Sequence, residues 1–95
     1  MAASTHHSDY QLLLDLLKET RHRSCVTQVE LAARLGNTQT FISKVERGER
    51  RLDAVEFVEY LEALEVKPEQ WLGAYIAARG TRPGPRKSKR KISAR

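Results

Sequence analysis

Apolar residues recur at spacings of three and four in five successive runs, and strict alternation of the strand type is absent, so the pattern predicts five short helices and an all-α fold. The first run extends from Tyr10 to about Arg23, with Leu12, Leu13, Leu16 and Leu17 forming one apolar stripe and Asp15, Lys18, Glu19 and His22 opposite. Ser8 or Asp9 can cap its start. Thr27-Gln-Val-Glu30 has the spacing of a capping box, and the helix it opens runs through Leu31, Ala32 and Leu35 to Gly36. Gly36-Asn-Thr-Gln39 supplies turn and cap chemistry for a third helix, which ends at Gly48. Asp53-Ala-Val-Glu56 repeats the box and opens a fourth, with Val55, Val58, Leu61 and Leu64 inward and Glu56, Glu59, Glu62 and Glu65 outward. Pro68 suits the first turn of a fifth helix through Trp71, Leu72, Tyr75 and Ile76. The remaining GTRPGPRKSKRKISAR has two Pro, two Gly, one Ile and no aromatic, a composition that cannot offset the entropy of ordering. The expected organisation is a flexible N-terminus at 1–8, a folded domain at 9–78 and a disordered basic tail at 79–95.

Charge changes this picture once it is divided. The chain carries a formal +5, yet residues 79–95 hold eight Lys and Arg and no acid, while the rest sets nine basic residues against twelve acids. The folded body is therefore acidic, and the tail supplies sequence-independent attraction to a polyanion. Cys25 is the only cysteine, which excludes an intrachain disulfide. No apolar run approaches the roughly 20 residues of a membrane span, and the N-terminus lacks a signal-peptide pattern, so the expected location is the cytoplasm. Adjacent His6 and His7 make a poor metal site. With no paired-carboxylate site, metal-spaced cluster, phosphate loop or nucleophile elbow, neither an enzyme nor a metal or cofactor is expected. The glutamate row of helix four reads as a solvated face that must point away from any phosphate backbone.

The third helix carries the functional signal. On a wheel with Gln39 at zero, Ser43, Thr40 and Lys44 fall near ~40°, ~100° and ~140°, and Phe41, Val45 and Ile42 near ~200°, ~240° and ~300°. One sector is polar and free of acid; the other can bury against Leu31 and Leu35. Gln matches the adenine edge, Thr and Ser donate or accept, and Lys donates to guanine, a set suited to the major groove of DNA.

Gln28, Ala32, Gly36, Ile42 and Val45, followed by Ile-Ser-Lys-Val-Glu-Arg-Gly-Glu-Arg at 42–50, resemble the helix-turn-helix of the phage-repressor and Cro family, the xenobiotic-response-element (XRE) type. The likeness spans about Leu12 to Leu72. It implies a five-helix lambda-repressor-like domain that binds double-stranded DNA. By that resemblance Thr38, Gln39, Thr40, Ser43 and Lys44 read bases, Gln28, Arg47, Arg50 and Arg51 grip phosphates, and Arg21 and Glu46 form a buried ion pair. Two departures stand out: Cys25 occupies a position that is often Gly in relatives, and Glu49 one that is often Lys.

The resulting expectation is a transcriptional regulator, acting as a repressor, bound as a homodimer to a palindromic operator, because one short helix buries too little to discriminate a genome. Helix five is the expected dimer contact through Trp71 and Tyr75, with the chain's own core the plainer role for Trp71. Alternatives are the antitoxin of a toxin–antitoxin pair that regulates its own promoter, or a restriction-modification controller.

Overall fold

The computed structural model describes residues 8–80; the flexible N-terminus and basic tail expected from the sequence fall almost entirely outside them. Five helices follow in order: α1 (Ser8–Arg23), α2 (Gln28–Leu35), α3 (Gln39–Glu46), α4 (Ala54–Ala63) and α5 (Pro68–Arg79). No strand occurs among the described residues, and none of the helices is long and apolar enough to cross a membrane.

Local chemistry sets the helix ends. Thr27 Oγ1 accepts from the Glu30 amide at 3.0 Å while the Thr27 amide donates to Glu30 Oε1 at 2.9 Å, closing the expected capping box. Asp53 and Glu56 close the second, at 2.8 and 3.0 Å. Pro68 stands in the first turn of α5, where a missing N–H costs nothing. Helices α1, α2 and α4 end alike: the Val26, Asn37 and Val66 amides donate to the carbonyls of Arg21, Ala32 and Leu61, each with a left-handed residue just before. That residue is Gly36 (φ 66°) after α2, but Cys25 (φ 59°) and Glu65 (φ 63°) after α1 and α4. A side chain in this conformation costs about 1–2 kcal/mol, and both helices absorb it. Gly48 (φ 81°) carries the chain out of α3, and a Cβ there would sit 3.4 Å from Leu14 Cδ1.

The core consists of Leu14, Leu17, Leu31, Ile42, Val45, Tyr60 and Leu61, all essentially without solvent exposure. α3 packs on α1 and α2, α4 on α2, and α5 closes the bundle against α1 and α4. Two helix faces differ from the sequence expectation. On α1 the buried positions are Leu14, Leu17 and Arg21, and Leu12, Leu13 and Leu16 are only half-buried. On α4 the inward face is Phe57, Tyr60, Leu61 and Leu64, whereas Val55 and Val58 remain 66% and 38% exposed. Steps of three fall about 60° short of a full turn each time, so Val55 lies opposite Leu64 rather than in line with it.

Tyr75 also departs from expectation, whereas Trp71 takes the core role that was its plainer reading. Both are 8% exposed and face the chain's own core. Trp71 Nε1 donates to Thr20 Oγ1 at 2.8 Å, and Tyr75 Oη donates to the Asp9 carbonyl at 2.9 Å, tying α5 to α1. Phe57 meets the Trp71 ring edge-on at a centroid distance of 5.4 Å. Little of either side chain is left for a partner; the large apolar residues that α5 exposes are Leu72 and Ile76.

Candidate nucleic-acid interface

The outer face of α3 starts from its cap. Asn37 Oδ1 accepts from the Thr38 amide at 2.8 Å, and Thr38 Oγ1 accepts from the Phe41 amide at 3.1 Å. The Thr38 hydroxyl is thus committed as an acceptor and keeps its proton to donate. From this cap the helix turns Gln39, Thr40 and Lys44 fully outward, leaves Ser43 half-buried, and buries Ile42 and Val45 with Phe41 beside them. The observed face matches the polar sector of the wheel, and it contains no carboxylate in its first turn.

Beneath this face lies a buried polar cluster. Glu46, 4% exposed, ends α3 and points into the bundle towards Arg21, 6% exposed, at the end of α1. Arg21 Nε donates to Glu46 Oε2 at 2.7 Å and Nη2 to Oε1 at 2.9 Å, the expected ion pair in a two-pronged geometry. Arg21 Nη1 also reaches the Val26 carbonyl at 3.0 Å, which joins the α1–α2 turn to the pair. Tyr60 Oη donates to Glu46 Oε2 at 2.6 Å. The sequence reading missed Tyr60; the spacing of Phe57, Tyr60, Leu61 and Leu64 was the signal that places it inside. Burial pushes the Glu46 carboxyl up, but hydrogen bonds from Arg21, Tyr60 and Gln28, with the Arg21 charge, outweigh it and hold the group below the usual carboxylate range. The hydrogen bond to Glu46 raises Arg21, and burial raises the Tyr60 phenol. The cluster is therefore a carboxylate, a guanidinium and a neutral phenol.

Gln28 connects the cluster to the surface. Half-buried at the start of α2, it donates from Nε2 to Glu46 Oε1 at 2.9 Å and accepts at Oε1 from Gln39 Nε2 at 2.7 Å. Two residues assigned to different tasks, phosphate and base, are thus joined side chain to side chain.

The arginines after α3 do not form one free basic edge. Arg47 donates to Glu49 at 3.0 and 3.2 Å and to the Ser43 hydroxyl. Both partners in the Arg47–Glu49 pair are more than half exposed, and such a pair contributes little, so a phosphate can replace Glu49 readily. Arg50 is held more firmly: it forks onto Glu56 at 2.7 and 2.8 Å, and its guanidinium lies 4.9 Å from the Phe41 ring centre. Hydrogen bonds from Arg50 and then from the Asp53 amide hold the Glu56 carboxyl down at about 2. Arg51 stacks 4.1 Å from the ring centre of Tyr10. Of the three, Arg47 is the one that the geometry leaves most available; Arg50 and Arg51 brace α3 and the following loop against α4 and α1.

Two short helices at a Gly36 turn, the second with an exposed acid-free face on a buried support, define a helix-turn-helix module of the kind that enters the major groove. The helix-turn-helix family model HTH_3 matches residues 17–71, and the protein belongs to this XRE-type family of DNA-binding transcriptional regulators. A solved structure described as an XRE-family like protein from Pseudomonas syringae pv. tomato str. DC3000 superposes with a TM-score of 0.74 at 45% identity, over 79% of this chain and 92% of that one. A comparison with curated proteins finds no match.

Proposed function

We propose that this protein is a repressor that reads a palindromic operator as a homodimer, with α3 in the major groove of each half-site. The exposed face of Gln39, Thr40, Ser43 and Lys44 carries this reading, because it combines base-matching chemistry with a rigid seat on Ile42, Val45 and Glu46. Gln39 and Lys44 are the principal base readers, and Thr40 and Ser43 flank them. The hydroxyl proton of Thr38 and the second amide proton of Gln28 face the phosphates at the groove edge, with Arg47 released from Glu49. Arg50 and Arg51 act mainly by holding the loop. A second half-site supplies the specificity that one eight-residue helix lacks. The α5 face bearing Leu72 and Ile76, 40% and 37% exposed, is where the two copies meet. Bound at a promoter in the cytoplasm, such a dimer excludes polymerase.

Selection of bound duplexes from random DNA tests the whole reading, since it returns site, symmetry and half-site spacing together. Two half-sites about 10 base pairs apart are expected. The Gln39→Ala/Lys44→Ala variant should keep its helical circular dichroism and bind the selected duplex no better than random DNA. Retained operator affinity in that variant would overturn the assignment of α3.

A further inference from the structure

We infer that the basic segment 81–95 docks on the outer stripe of α4, and that this docking withholds its cations from DNA. The inference rests on the reading of that segment as attracting DNA and adds what governs the attraction.

Angle and exposure define the stripe. On a wheel with Val55 at zero, Val58, Glu59 and Glu62 fall near ~300°, ~40° and ~340°, while Phe57, Tyr60, Leu61 and Leu64 lie between ~140° and ~240°. The first set stands opposite the core-facing one, and all four of its members are exposed. With Ala54 they line one open groove, apolar towards the start of the helix and acidic towards its end. Its charges are uncommitted. Glu30 closes a cap, and Glu46, Glu49 and Glu56 hold arginines, whereas among the described residues no cation pairs with Glu59 or Glu62. The complementary occupant carries several cations and a little apolar surface.

A second folded body does not meet that description, because outside 79–95 the chain sets twelve acids against nine basic residues. Segment 81–95, which lies outside the described residues, does meet it. It has seven Lys and Arg, no acid, and Ile92 as its one large apolar residue, directly after Lys89-Arg90-Lys91. Alternate residues of an extended chain are ~6.6 Å apart, close to the ~6 Å between Val58 and Glu62 along the helix axis. With Ile92 over Val58, Arg90 thus stands level with Glu62. Reach is not limiting. Leu72 of α5 borders the same cleft as Ala54 and Phe57. The helix from Leu72 to Gly80 adds ~12 Å, and the chain from Gly80 to Arg90 spans up to ~33 Å. Tethering also favours the chain's own segment, since a short tether gives an effective concentration of order ~1 mM. Each cation held by Glu59 or Glu62 is one that cannot neutralise a phosphate, so DNA must compete with α4 for the segment.

The test compares the full chain with the tail-neutral variant Lys87→Gln/Lys89→Gln/Arg90→Gln/Lys91→Gln. Without DNA, at low salt, their backbone amide chemical shifts should differ at Val55, Val58, Glu59 and Glu62, equally at every protein concentration. The difference should vanish in ~1 M salt. No difference overturns the docking; so does one that grows with concentration, which would put a neighbouring copy on the stripe. Binding of a random duplex tests the withholding. Glu59→Gln/Glu62→Gln should tighten it about threefold or more with the native tail, the value of two exposed ion pairs, and much less in the tail-neutral background. An equal gain in both backgrounds reduces the glutamates to general repulsion of phosphate and overturns the withholding. A tail-neutral variant that binds random DNA as tightly as the wild type refutes the attraction itself, and the withholding with it, while the shift comparison still decides the docking.

Discussion

Replacing Arg21 by Met should be among the most costly single changes in this chain. The substitution keeps volume and apolar stem but removes the guanidinium that makes two contacts to Glu46, at 2.7 and 2.9 Å, and one to the Val26 carbonyl at 3.0 Å. Glu46 would then be a carboxylate 4% exposed, with only Tyr60 and Gln28 as donors. Breaking a buried pair by removing one partner costs about 3–5 kcal/mol, because the remaining charge is left uncompensated. In a domain of this size that is a large share of the total stability, and it lowers the melting temperature by about 12 °C or more. The triple variant Arg21→Met/Glu46→Leu/Tyr60→Phe removes charge, countercharge and phenol together. It should recover most of the loss, since a well-packed apolar replacement of a buried pair is often neutral or stabilising. Urea unfolding followed by circular dichroism, extrapolated to water for the wild type, single and triple variants, gives the comparison directly. A single-variant cost below about 1 kcal/mol, the range of exposed pairs, would refute the view that this pair is dry and structural. So would a triple variant no more stable than the single.

Three further outcomes are expected. Cys25→Gly relieves a left-handed side chain at the end of α1 and should stabilise by about 0.5–1 kcal/mol after the glycine's extra unfolded-state entropy is counted, measured by the same urea titration. Glu30, Glu46, Glu49 and Glu56 all have folded-state carboxyls below the ordinary 4.5, so the folded protein binds fewer protons than the unfolded chain. Their stabilisation should be complete above about pH 4.5 and lost as pH falls towards 2, and Glu56→Gln should flatten the lower part of that decline in urea midpoints. Deleting residues 80–95, with their seven Lys and Arg, should weaken binding to all duplexes alike and reduce the salt slope; a loss confined to the selected site would show instead that the tail reads sequence.

Much of the architecture was legible one residue at a time, because caps and turns are local. Thr27 and Glu30, Asp53 and Glu56, Pro68, Gly36 and Gly48 announce helix ends through interactions spanning only a few residues. The polar and apolar sectors of α3 were legible for the same reason: over eight residues a wheel accumulates little error. The α1 and α4 faces were not, since a stripe followed in steps of three drifts around the helix, and only packing against α2 and α5 selects Tyr60 and Leu61 over Val55 and Val58. Trp71 and Tyr75 show a related limit. An aromatic pair four residues apart marks a face of α5, but whether it meets a second copy or this chain depends on where Thr20 and the Asp9 carbonyl lie.

By itself, then, the sequence determined the helix count, the turn and the outward chemistry of α3, all set by neighbours along the chain. Tertiary structure decided which partners the charged and amide side chains take. Arg50 goes to Glu56 and Phe41, and Glu46 collects Arg21, Tyr60 and Gln28 across separations of 25, 14 and 18 residues. The physical reason is the burial of the charge. A carboxylate taken out of water must gather donors from every helix in reach, and nothing in the local sequence specifies which of them arrive.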